Sequence, residues 1–268
     1  MEMPLNSLTA SEQKLWLSSV ESYSHLADLP LFDKSLIDIA NNLALIPDSE
    51  KLPATLAGQD VIQALTNAAS IYRRYLWSAV QRQDEEWIVS NCREIQQYDM
   101  QAKAQIARLF KVPAPSLPIL VDLAPDTGPN LAFTTDGPGG TSGHTILAPQ
   151  KNATNVVSVD TILHEISHTM VDTSLTEMLD SEAKTQHVSI PSDLWHALTL
   201  YTTSEITKRL LNNESASALL DNERSSMFIR NGWKQTLEMI ENDWQPYLNG
   251  KISMDASIQK LVRDTGKR

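Results

Sequence analysis

Residues Thr161 to Met170 read T-I-L-H-E-I-S-H-T-M, and within them His164, Glu165 and His168 make an H-E-x-x-H segment. Positions four apart on an α-helix lie on one face about 6 Å apart along the axis, so both imidazoles can reach one ion. Glu165, offset by one residue, borders that ion without being forced to bind it, which is where a base for a metal-activated water belongs. Chance alone would give such a match in roughly 1 in 100 chains of this composition. The flanking residues support a helix, because Ile162, Ile166 and Met170 recur at four-residue intervals beside the histidine face.

Downstream of the motif, a polar stretch is expected from Thr173 to Pro191. Ser192-Asp193 can then cap a helix that starts at Leu194 and runs to about Leu211. In the C-terminal region Trp233, Leu237, Ile240 and Trp244, then Ile258, Leu261 and Val262, predict two more helices interrupted at Pro246 and Gly250. Upstream, Leu117 to Asp122, Leu131 to Thr135 and Gly143 to Ala148 are rich in strand formers. Gly128-Pro129-Asn130 turns between the first two, and the glycine-rich loop Asp136 to Gly143 precedes the third. That loop lacks the lysine and the spacing of a phosphate cradle, so it reads as the rim of a cleft. Gly143 to Ala148 is expected to be an edge strand able to receive an extended peptide by backbone pairing.

The N-terminal half is helical by pattern. Two amphipathic helices are expected up to about Leu45, split at Leu29-Pro30, followed by a loop punctuated by Asp48, Pro53 and Gly58. Two longer helices then cover about Val61 to Val80 and Glu85 to Phe110. His25 has no partner at ligand spacing and reads as a surface histidine, and Tyr72-Arg73-Arg74-Tyr75 reads as a solvated face.

With 268 residues, 41% hydrophobic and 21% charged, the chain can bury a sizeable core and falls outside the disordered class. A formal charge of −11 argues against a nucleic-acid partner. Cys92 is the only cysteine, so neither an intrachain disulfide nor a thiolate metal site is available. No apolar run approaches bilayer length, so no membrane span is expected and the chain reads as soluble. It reads as cytoplasmic as given, and as periplasmic or secreted if Met1-Glu2-Met3 begins a trimmed mature form.

On the five residues of the motif the chain resembles the zincin superfamily of metallopeptidases, over roughly residues 85 to 212. The resemblance implies an α+β, mostly helical protein. Its zincin-like core would hold a small sheet and an active-site helix at 85–212, between a helical N-terminal region at 1–84 and a helical C-terminal region at 213–268. It implies one zinc ion and hydrolysis of a peptide or protein substrate. Glu165 would be the general base for a metal-activated water, whose pKa zinc lowers to about 7.

Catalytic zinc takes three protein ligands, so His164 and His168 need a partner. The metzincin pattern is absent, since Val171 and Ser174 stand where its glycine and histidine would be. The remaining candidates are Glu177, Asp180, Glu182, His187, His196 and Glu205. Resemblance to gluzincins, whose third ligand is a glutamate on a second helix, implies Glu205. The block W-H-A-x-x-x-Y-T-x-x-E is also similar to a pattern in uncharacterised bacterial zincin-like proteins. His196, nine residues from Glu205, points the opposite way on that helix, and Arg209 replaces the aspartate that usually follows the gluzincin ligand. Tyr201 is the expected oxyanion donor, with His144, Arg230 and Tyr247 as further options, and Asp172 is placed to orient an imidazole. Two other functions fit the same residues: a zincin-like scaffold that binds without cutting, and a zinc hydrolase of a non-peptide amide.

Overall fold

In the computed structural model, residues 3, 5–25, 34–46, 60–127, 132–149 and 154–266 are described. The expected breaks at Leu29-Pro30 and at Asp48, Pro53 and Gly58, the Gly128-Pro129-Asn130 turn and Leu131 lie outside them. The described chain is α+β and mostly helical, with one small sheet. Its internal contacts form two compact units, Met1–Ser90 with Ile119–Lys151, and Asn91–Pro118 with Asn152–Arg268. This grouping differs from the three consecutive spans expected, because the sheet belongs with the N-terminal helices and the motif helix with the C-terminal ones.

In the first unit, helix α1 (Ala10–Ser24) starts at a reciprocal cap. Thr9 accepts from the Glu12 backbone N–H, and the Glu12 carboxylate accepts from the Thr9 backbone N–H. Helix α1 packs on α3 (Asp60–Tyr72), with Ser19 donating across to the Ala64 carbonyl at 3.0 Å. Ile39 of α2 (Lys34–Leu43) is buried with Ile62 of α3. A π-helical segment, Arg73–Trp77, leads into α4 (Ser78–Phe110). Arg74 pairs with Glu12 there, so an internal ion pair accounts for that arginine of the basic aromatic run.

The sheet consists of β1 (Ile119–Leu123), β2 (Ala132–Thr135) and β3 (Gly143–Leu147), in the order β1-β3-β2. The expectation for β3 is overturned: it is central, parallel to β1 and antiparallel to β2. Its backbone is therefore paired on both sides, and no peptide can join it by strand addition. Gly137 makes the preceding loop feasible. Its φ is +75°, and a Cβ there would stand 2.6 Å from the backbone carbon of Gly143.

In the second unit, helix α5 (Asn155–Gln186) carries the motif, and Thr154 caps it. It runs well past the expected stop at Thr173, because Val171, Leu175, Leu179 and Ala183 continue a buried stripe at four-residue spacing. It ends at His187, in the left-handed conformation at φ 56°. Helix α6 (Leu194–Leu211) packs against α5. Helices α7 (Glu214–Arg230), α8 (Lys234–Asp243), α9 (Gln245–Leu248) and α10 (Met254–Thr265) complete the unit, where sequence pattern predicts only two helices after Leu211. Trp244, fully buried, stacks on Phe110 and donates from Nε1 to Thr202 at 2.8 Å, which anchors α8 to α6. A buried aromatic of this size contributes about 3 kcal/mol of hydrophobic stabilisation.

Candidate metal centre

Helices α5 and α6 run antiparallel and meet along a polar seam. Asp160, His164, His168 and Asp172 recur every fourth residue of α5, so they form one stripe. Helix α6 answers in reverse order. Thr207 donates to Asp160 at 2.6 Å, Thr203 lies 3.5 Å from His164 Nδ1, and His196 meets the motif histidines. His196 and Thr203 are seven residues apart and Thr207 four further on, which keeps all three on one face.

The Nε2 atoms of His168 and His196 each lie 3.1 Å from Nε2 of His164. Zinc–nitrogen bonds of 2.0–2.1 Å at a tetrahedral angle separate two ligand nitrogens by about 3.3 Å, so the spacing matches ligation of one ion. The tautomers agree. Nδ1 of His168 faces both oxygens of Asp172, at 2.9 and 3.1 Å, and a carboxylate only accepts, so Nδ1 carries the proton. Thr203 donates its hydroxyl proton to the Thr199 or Leu200 carbonyl, leaving its oxygen to accept from His164 Nδ1. In the neutral rings both Nε2 lone pairs then point at each other, and a cation between them removes the repulsion. Among the described residues, these three histidines form the one group able to hold a metal ion.

Burial favours the lone-pair form at His164 and His196. It pushes His164 well below the ordinary histidine range, with His168 and His196 adding to the effect. Burial, and then His168, bring His196 down to about 4. For His168 burial acts the same way, but the Asp172 hydrogen bond and the Glu165 and Asp172 charges outweigh it and raise its pKa. Glu165, 6% exposed, neighbours His164 in the motif, and its charge helps to raise the His168 pKa.

Glu205 is not at the site. It faces away from His196, and its Oε1 accepts from Lys208 at 2.7 Å and Arg224 at 2.8 Å. Asp221 accepts from the same two cations. The network ties α6 to α7 and, burial notwithstanding, holds the Glu205 carboxyl below its usual range through Lys208 and Arg224. The metal reading therefore passes from Glu205 to His196, as helix geometry requires, since both cannot face α5.

Tyr201 also points elsewhere. It lies about 140° round the helix from His196; its hydroxyl donates to Gln245 at 2.6 Å and Arg224 covers its ring at 4.4 Å. Burial raises its pKa, and because its hydroxyl is turned to Gln245 it does not serve as the oxyanion donor. Tyr247 donates to the Leu109 carbonyl, and Arg230 is exposed at the end of α7. His144 lies buried in the first unit between Asn41 at 2.8 Å and Asp122 at 3.0 Å. Sequence reasoning missed Thr203, Thr207 and Asp160. The four-residue spacing from Asp160 to Asp172 was the available signal.

No helix among the described residues is long and apolar enough to cross a membrane. No family model, no curated protein and no solved structure matches the chain.

Proposed function

We propose that this chain is a zinc-dependent peptidase with a zincin-like core, its metal held by His164, His168 and His196. The observation that carries the reading is the convergence of three imidazole nitrogens beside a buried glutamate. Structural zinc sites close with four protein ligands, whereas catalytic ones use three and keep a position for water or substrate. Three is the number offered here. Three neutral imidazoles also leave the ion its full charge.

When bound, zinc supplies Lewis acidity, polarising the scissile carbonyl and acidifying the attacking water. Glu165 takes the proton of that water and returns it to the leaving amine. Asp172 holds His168 in its Nδ1-protonated form, and Thr203 does the same for His164, so each ring would present Nε2 to a bound ion. Asp160 lies one turn before His164 and would add negative charge near a bound cation. Burial raises its pKa to about 6, against the opposing pull of its Thr207 hydrogen bond.

The test is zinc analysis of the purified chain together with cleavage of a peptide library by wild type and Glu165→Gln. The expected result is one zinc in both proteins, with cleavage reduced about 10²- to 10⁴-fold in the variant. A folded chain that takes up no zinc on titration refutes the metal reading. Undiminished cleavage by zinc-loaded Glu165→Gln refutes the role of Glu165.

A further inference from the structure

His196 differs from the other two histidines in what orients it. Nδ1 of His168 is fixed by Asp172 and that of His164 by Thr203, but among the described residues no protein group hydrogen-bonds Nδ1 of His196. Rings surround it instead. Trp195 stacks on it, with centroids 5.2 Å apart and planes 25° apart, and Trp233 meets it edge-on at 5.4 Å and 77°.

Asp193 supplies the second half of the observation. It is the residue before α6, where an aspartate normally caps the first turn, yet its side chain makes no capping bond. Its backbone carbonyl accepts from the His196 and Ala197 N–H groups, while its carboxylate accepts from Trp233 Nε1 at 2.6 Å. A local rule is broken at the start of the helix that carries a metal ligand. What the carboxylate holds instead is the indole wedged against that ligand. Trp233 is 8% exposed and also packs on the buried Phe228, so the wedge is backed by the core.

We infer that Trp233, held by Asp193, is a positioning residue for His196, fixing the third metal ligand by ring packing where the other two use hydrogen bonds. The inference rests on the metal reading above. At near-perpendicular planes the positive edge of one ring meets the electron-rich face of the other, so the contact favours one orientation of the imidazole. That orientation directs Nε2 at the shared point.

The experiment is zinc affinity by chelator competition, with the visible spectrum of the cobalt-substituted protein. Variants are Trp233→Leu, Trp233→Phe and Asp193→Ala, and Trp233→Leu is repeated in the His196→Ala background. Loss of a group that orients a ligand typically weakens metal binding 10- to 100-fold. The expected result is that loss in Trp233→Leu with altered cobalt bands, a smaller loss in Trp233→Phe, which keeps an aromatic edge, and a loss in Asp193→Ala, which frees the indole. In His196→Ala the Trp233→Leu change should cost nothing further. An equal loss in that background marks a merely structural role and overturns the inference, as do unchanged affinity and bands in the folded variants. If Trp233→Leu does not fold, Trp233→Phe and Asp193→Ala decide by the same criteria. Wild type that binds no zinc overturns the metal reading and this inference together, whereas wild type that binds zinc beside indifferent variants overturns this inference alone.

Discussion

Substituting Glu205 and His196 separately by alanine distinguishes the ligand set of the folded chain from the one that resemblance to gluzincins implies. Removing Glu205 leaves Arg224, 8% exposed and lying over the Tyr201 ring, without one of its two carboxylates. Breaking a buried ion pair from one side costs about 3–5 kcal/mol. Asp221 still accepts from both Arg224 and Lys208 but is nearly half exposed, so the lower end, about 3 kcal/mol, is expected. For a domain of this size that lowers Tm by roughly 6–12 °C. Zinc affinity should change little, because Glu205 faces α7 and not α5. His196→Ala should behave in the opposite way: it removes one of three ligands, and zinc is lost or bound far more weakly. Circular dichroism melts of both variants, with zinc titration against a competing chelator, provide the assay. If Glu205→Ala loses zinc at unchanged Tm while His196→Ala keeps it, the ligand assignment is wrong.

Asp172→Asn should weaken zinc binding 10- to 100-fold without unfolding the chain, since the amide still reaches His168 but no longer enforces its tautomer; chelator competition measures it. Asp160 carries a signed pH dependence in metal-free protein. Its folded pKa of about 6 lies above the unfolded value, so the fold binds the extra proton and loses stability as pH rises from about 4 to 6. Asp160→Asn should therefore raise the metal-free Tm at pH 7, by up to about 3 kcal/mol in stability, and leave it nearly unchanged at pH 4. Melts at the two pH values check this. For Glu205 the sign reverses: its lowered pKa stabilises the fold above about pH 4.5 and less as pH falls below that, so the Tm gap between wild type and Glu205→Gln should close in acid.

What sequence reveals here depends on the range of the interaction. The motif helix, its apolar stripe and the start of α6 are set by residues within a few positions of each other, and they were legible, although the side-chain cap expected at Asp193 does not form. The length of α5 was only partly so. Polar residues after Thr173 mask Leu175, Leu179 and Ala183, whose burial depends on α6 and α10 arriving from elsewhere. Strand order is a non-local matter, and nothing near Gly143 states that β1 and β2 both pair with it. The third ligand illustrates the limit well. Helical periodicity showed that His196 and Glu205 face opposite ways. Which face meets α5 is decided by Lys208, Arg224 and Asp221, and Asp221 and Arg224 lie on a helix that sequence pattern did not place.

The seam between α5 and α6 also determines where metal should act on the fold. Buried polar groups are costly unless each finds its partner, and here two pairs cross the seam in register, Asp160 with Thr207 and His164 with Thr203, while His168 finds Asp172 on its own helix. On the apolar flanks Val159, Leu163, Val171 and Leu175 of α5, with Leu194, Ala197, Leu198 and Ile206 of α6, supply the attraction without dictating that register. The histidine Nε2 atoms are the seam's remaining requirement, and a bound cation satisfies it. Opening the seam must therefore release the metal. Zinc at about 1,000 times its Kd adds roughly 4 kcal/mol to any opening that loses it, a slowing of amide exchange approaching 1,000-fold. Exchange measured with and without zinc should show that protection in the central turns of α5 and α6, with α1 and α3 unchanged. Protection spread evenly over both units, or absent around His164 and His196, would show that zinc does not bridge the two helices.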